Sequence, residues 1–238
     1  MKIKKYFEKL NDKSQEIFAT TMLNHDLLTV SHQASTEWHK LVACIGESEE
    51  RTMLDNVCSQ FESSTLALSL GLYRPAFTSL RLTLEFGLAV ILFTSNNLSF
   101  REWQNGKPEA DIKWSAVNDP DSGVFSHRFI SAFFPKMVDH ASNHRDRARL
   151  LYRQLSQFVH GNPETWRATG LQLAPNSILV QEFLTHLKST VELLQFAFCC
   201  RYLCGLAKSQ LDEVQPILFD SFTHIEPIRV ILGGPKNE

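Results

Sequence analysis

Apolar positions recur along this chain at helical spacing, and almost nowhere at strand spacing. The clearest case is residues 145–160, RDRARLLYRQLSQFVH. Leu151, Leu155 and Phe158 fall at i, i+4 and i+7, on one face of a 3.6-residue helix, and Ala148 and Val159 widen that face. Met53, Val57, Phe61, Leu66, Leu68 and Leu70 give a second helix over 48–72. Residues 76–93 form the most apolar stretch, and 176–207 a long helix whose second half is apolar nearly all round. A weaker pattern (Tyr6, Phe7, Leu10, Phe18) predicts a helix over 4–23, and Trp38, Leu41 and Val42 a short one over 36–45. Residues 213–230 read as a short amphipathic helix or docking arm. No run alternates with period two between turn signals, so no strand is predicted.

Capping chemistry sharpens the boundaries. Ser48 suits an N-cap, because its hydroxyl can accept from a free N–H of the first turn, and Glu49 and Glu50 follow it. Gly71 ends that helix, and Pro75 stands near the first position of the next. Asn176 or Ser177 can cap the long helix. Gly161, Asn162 and Pro163 stop the helix that carries His160. Between 94 and 142 lies a long excursion. Its turns are at 96–97, 105–108 and 118–123, with short helical pieces at 100–103 and 112–114, and its Phe-rich end at 125–137 packs over the bundle. Inserts of that length are commonly functional, or cap a groove.

The expected architecture is all-α. It is an up-down bundle of four to five helices with an elaborated connection between its second and third main helices. The four principal helices are 50–71, 75–95, 145–160 and 177–206. Residues 1–47 are expected to form an N-terminal helical arm, 48–207 the bundle, and 208–238 a C-terminal docking tail.

Composition changes this picture little. Of 238 residues, 43% are hydrophobic and 21% charged, ordinary values for a globular chain. The net charge of −2 offers no global basic excess for nucleic acid, so any such contact needs a local patch. Five cysteines are odd in number and sit in apolar helical context, which predicts reduced thiols rather than a disulfide framework. Cys200 and Cys204 lie one turn apart, with no His or CxxC pair to complete a zinc set, and no metal is expected. The basic start lacks the apolar core of a secretory signal. The runs 86–93 and 193–206 fall short of the ~18 residues that span a bilayer. A cytoplasmic protein with no membrane partner is expected.

The candidate chemistry is on the polar side of 145–160. Arg153 and His160 are seven residues apart, which points them the same way, roughly 10 Å apart along the axis. His can take a proton near neutral pH, and Arg offers a planar, permanently charged fork to a phosphate. Tyr152, Ser156 and His160 form their own row, so His160 has a second role open to it: a hydrogen bond to Ser156, or a cap on the helix end. Arg145, Arg147 and Arg149 stand where cations oppose the helix dipole. They read as a solvated face offset by Asp146, or as a phosphate-tracking patch together with Ser156 and Gln157. Arg81 and Glu85, at i and i+4, are a buried matched pair or the lining of a cleft. Asp119 and Asp121 read as turn formers. Motifs for nucleotide hydrolysis, hydride transfer and serine hydrolysis are missing from the sequence.

The spacing from Arg153 to His160 resembles the Arg-x4–6-His motif of the HEPN superfamily. TSLRLTLEFGL, with Arg81 and Glu85, and YRQLSQFVHG are similar to stretches of uncharacterised bacterial HEPN-like families. The resemblance covers roughly 50–206. It implies a four-to-five-helix bundle and homodimerisation through the motif face. In active members it also implies a metal-independent endoribonuclease that needs no cofactor and leaves a 2′,3′-cyclic phosphate. Arg153 and His160 would be catalytic. Such proteins act in toxin–antitoxin, abortive-infection and CRISPR-linked defence, which implies RNA and an antitoxin or defence-system protein as partners. Other members lack activity and bind nucleotides or proteins. Two functions follow as expectations: an endoribonuclease, or a non-catalytic module that binds a partner protein or nucleic acid.

Overall fold

Local sequence writes the ends of the helices, and a computed structural model describes residues 2–160, 163 and 173–236. These residues contain helices and turns, with no strand among them. The helices are α1 (Ile3–Thr21), α2 (His25–Ala43), α3 (Glu49–Ser69), α4 (Tyr73–Phe93), α5 (Asn97–Gln104), α6 (Trp114–Val117), α7 (His127–Phe133), α8 (Val138–His160), α9 (Ser177–Tyr202), α10 (Lys208–Phe222) and α11 (Glu226–Ile231).

α3 begins where its cap allows. Ser48 Oγ accepts from Arg51 N at 3.1 Å, and Glu49 and Glu50 fill the first turn. Ser48→Ala is expected to cost about 1 kcal/mol, a fall in melting temperature of roughly 2–4 °C for a chain of this size, read by thermal denaturation. At the other end Gly71 takes φ +76. Leu72 N then reaches Ala67 O at 2.8 Å and Gly71 N reaches Leu68 O at 2.9 Å, the Schellman pattern. A Cβ on Gly71 would stand 2.7 Å from Ile17 Cδ1, so glycine also lets α1 approach. Asn24 and Asn176 cap α2 and α9 in the same way as Ser48, accepting from Leu27 N at 3.1 Å and Leu179 N at 3.0 Å.

α4 is the hub. It packs against α3, α8 and α9, and buries Phe77, Leu80, Leu84, Leu88 and Ile91 completely. A Cβ on Gly87 would meet Leu194 Cδ2 at 2.6 Å, which shows how closely α4 and α9 pass. With 21 residues and a mean hydropathy of 1.6, α4 is long and apolar enough to cross a membrane by those two criteria alone. The apolar run counted from Phe86 is thus too short a measure, because residues 76–84 extend it. Here that surface faces neighbouring helices, and Arg81 and Glu85 pair within it.

Two boundaries move. α2 runs from His25 rather than 36, and buries Leu27, Trp38, Leu41 and Val42 against α3 and α9. It belongs to the core, whereas α1 buries only Ile17 fully. α8 begins at Val138, seven residues before the predicted start, because Ala141 and His144 continue the buried row of Ala148, Leu151, Leu155 and Phe158. The connection from α4 to α8 carries α5, α6, α7 and two short 3-10 turns. Its loop is tied by Asp119 Oδ1, which accepts from Asp121 N, Ser122 N and Ser122 Oγ at 3.0, 2.8 and 2.9 Å. Those bonds hold the Asp119 carboxyl below the usual carboxylate range. The described residues thus form a helical bundle with an elaborated connection. The stop at Gly161–Asn162 lies outside them.

Candidate functional site

α8 presents four different environments around its circumference, and its sequence assigns them. The apolar row faces the core. On one flank Tyr152 meets α4. Its hydroxyl accepts from the Arg81 guanidinium and donates to Glu85 Oε1 at 3.4 Å, while Arg81 and Glu85 lie 3.4 Å apart. Trp114 of α6 stacks on the Tyr152 ring, with centroids 4.0 Å apart and planes 1° from parallel. Burial raises the Glu85 carboxyl, and Arg81 and the Tyr152 hydroxyl partly offset it. Arg81 Nε is buried without a partner among the described residues. The i, i+4 pair expected on α4 is therefore one corner of a four-residue cluster that joins α4, α8 and the connection.

On the opposite flank Arg147 makes a bidentate pair with Glu192 of α9, two bonds of 2.6 Å each. Those bonds hold the Glu192 carboxyl below its ordinary range. The Arg147 charge is thereby met within the chain, and its fork is committed to α9.

The remaining face is open. Arg145, Arg149, Arg153 and His160 fall within roughly 80° of one another around the axis. Asp146 lies 4.0 Å from the half-buried Arg145 and 3.2 Å from the exposed Arg149, pairs open enough to solvent to contribute little to stability. Arg153 and His160 are both exposed, with no hydrogen bond or ion pair to the described residues. Ser156 Oγ is buried and has no partner there either, so no Ser156–His160 bond forms. Gln157 is exposed on the same side and engaged.

Two clefts lie away from this face. One, of about 550 Å³, runs between α2 and α9 past Gln33, Glu37, Lys188, Glu192 and Gln195. The other, of about 860 Å³, opens between the end of α4 and the connection, where Asn96, Asp111, Lys113 and Arg128 meet Phe93 and Phe133. Neither is lined by Arg153 or His160.

Known proteins offer no guide here. No family model, curated protein or solved structure matches this chain. The chemistry has to be read from the residues.

That chemistry is of two kinds. Along α8, an exposed imidazole and guanidinium without a partner among the described residues lie about 10 Å apart along the axis, a spacing that serves one phosphate only if a second such helix faces it. Between α2 and α3, His39, Asp55 and Cys58 bring a nitrogen, an oxygen and a sulfur donor together. Sequence spacing passes over this second group because its members come from two helices. Glu192 and Trp114 were invisible for the same reason. The five cysteines are unpaired, three of them buried.

Proposed function

We propose that the open face of α8 binds and cleaves RNA, making this chain a HEPN-like, metal-independent endoribonuclease that works as a homodimer. The reading is carried by one observation. Arg153 and His160 are exposed with no partner among the described residues, on a helix where the polar side chains of Tyr152 and Arg147 are held by neighbouring helices. Two copies of α8 meeting across a two-fold axis would set the His160 of one against the Arg153 of the other. His160 would then take the proton from a ribose 2′-hydroxyl as that oxygen attacks the adjacent phosphorus. Arg153 would stabilise the charge gathering on the phosphoryl oxygens. The bond to the 5′-oxygen breaks and that oxygen takes a proton from water, leaving a 2′,3′-cyclic phosphate and a 5′-hydroxyl, while the His160 imidazolium returns its proton to solvent. Arg145 and Arg149 lie along the path of the neighbouring phosphates. A cytoplasmic toxin or defence effector is the role this activity fits.

The second reading is a non-catalytic module that binds a partner protein or nucleic acid. It is favoured by the Arg147–Glu192 pair and by Asp146, which reduce the positive field of the patch in a chain of net charge −2.

The test is cleavage of mixed labelled RNAs with EDTA present, by wild type, Arg153→Ala and His160→Ala. Wild type is expected to leave cyclic ends, and either variant to lose roughly 100-fold or more. No cutting by wild type, or equal cutting by all three, would sink the nuclease and leave the binding module. The histidine control is exposed His127→Ala; His144 is buried and unsuitable.

A further inference from the structure

A buried indole locks the last turns of α2 to the start of α3. Trp38 Nε1 donates to Leu54 O at 2.8 Å, with both residues essentially inaccessible to solvent. The next residue on each helix, His39 and Asp55, projects beside this lock. His39 Nδ1 lies 2.6 Å from Asp55 Oδ1. Cys58, one turn on from Asp55, lies with its sulfur 3.9 Å from the same oxygen and 3.5 Å from Ser35 O. The three donor atoms all fall within 4.8 Å of one another. His39 and Asp55 keep 61% and 48% of their side-chain surface in solvent, so the group opens outward.

We propose that His39, Asp55 and Cys58 form a binding site for a zinc-class divalent cation, with water in the fourth position. An imidazole, a carboxylate and a thiolate are a borderline-soft set that suits zinc, cobalt and their neighbours rather than calcium or magnesium. Tetrahedral zinc with bonds of about 2.0–2.3 Å spaces its ligands by roughly 3.3–3.8 Å. The nitrogen and oxygen open by less than 1 Å to meet that spacing, a shift that exposed side chains accommodate. His39 binds through Nδ1, and the proton that Nδ1 shares with Asp55 in the metal-free chain moves to Nε2. Asp55 binds as the carboxylate. Cys58 binds as thiolate, and its proton goes to solvent, one for each ion taken up. The backbone beneath is fixed by Trp38, so the ligands are presented on rigid helices. Three protein ligands and an outward water describe an exchangeable site that clips α2 to α3, on a seam separate from the open face of α8.

The experiment uses the full chain, reduced and stripped of metal. Zinc is titrated against a chromophoric chelator, and cobalt is followed by absorption. One equivalent per chain is expected for wild type and for Cys204→Ser, with a thiolate-to-cobalt charge-transfer band. Cys58→Ser and His39→Gln are expected to lose affinity by roughly 100-fold or more, since even changes behind the first ligands commonly cost 10–100-fold. The band is expected to vanish in Cys58→Ser. Helical content by circular dichroism checks that each variant folds. No uptake by wild type, or uptake by Cys58→Ser equal to wild type, would overturn the site. RNA cleavage with EDTA present is independent of either outcome.

Discussion

Phe77→Ala is expected to lower the unfolding free energy by about 3–5 kcal/mol. Phe77 is completely buried, and it joins three helices. Its ring stacks on Phe158 of α8 with centroids 3.8 Å apart, and meets Phe183 and His186 of α9 edge-on at 5.7 and 5.9 Å. Truncation removes the transfer free energy of the ring and leaves a void that three separate helices cannot all close. At roughly 2–4 °C per kcal/mol for a chain of this size, the melting temperature falls by about 6–20 °C. Leu98→Ala is the control: Leu98 is 70% exposed, and its loss is expected to stay within about 0.5 kcal/mol. Thermal and urea denaturation followed by circular dichroism would decide. Equal behaviour of the two variants would mean that α4 and α8 do not meet through these rings.

Acid is expected to weaken the bundle through His144. This imidazole is 3% exposed and stacks on Phe196 with centroids 3.4 Å apart. Its Nδ1 lies 2.8 Å from His140 O, and its Nε2 is buried without a partner among the described residues. Burial disfavours the imidazolium and pushes its pKa down to about 4. An unfolded His titrates near 6.5. Between these values the unfolded chain holds a proton that the folded one does not, so the stabilisation is complete above about pH 6.5 and is lost as pH falls toward 4. The difference amounts to about 3 kcal/mol at 1.36 kcal/mol per pKa step. His144→Phe keeps the ring stack and removes the proton. Between about pH 7 and pH 4.5, wild type should lose roughly 2–3 kcal/mol more than the variant in urea titrations. Parallel losses in the two proteins would show that His144 does not carry the acid sensitivity.

The helices were legible where local chemistry dominates. Ser48, Asn176 and Gly71 mark their ends through hydrogen bonds made within a few residues. Strong apolar periodicity located α3, α4 and α9. The misplaced starts of α2 and α8 have a shared cause. After Leu27, their early turns contribute small or polar residues to the buried row, such as Ser31, Ala34, Ala141 and His144, which carry little hydrophobic signal of their own. The polar face of α8 was legible from spacing alone, and Arg145, Arg149, Arg153 and His160 share it. Spacing says nothing of partners on other helices. Thus Arg147, indistinguishable in sequence from Arg149, is held by Glu192, and the Arg81–Glu85 pair gains Tyr152 and Trp114. The donors His39 and Cys58 are far apart in sequence, and only the α2–α3 seam brings them together.

α1 has a different standing from the rest. Ile17 is its single fully buried side chain, while Ile3 and Phe7 are 73% and 60% exposed. Its tie to the body is the Ile17 contact over Gly71, together with the bond from Ser14 Oγ to Leu70 O at 2.8 Å. A helix held at so few points can detach for a fraction of the free energy that unfolds the whole. Phe18 and Met22 line an apolar groove together with Leu28, Thr65 and Leu66, and lifting α1 would bare the rest of that surface. In a form with α1 detached, whatever bound that surface would compete with α1 for it.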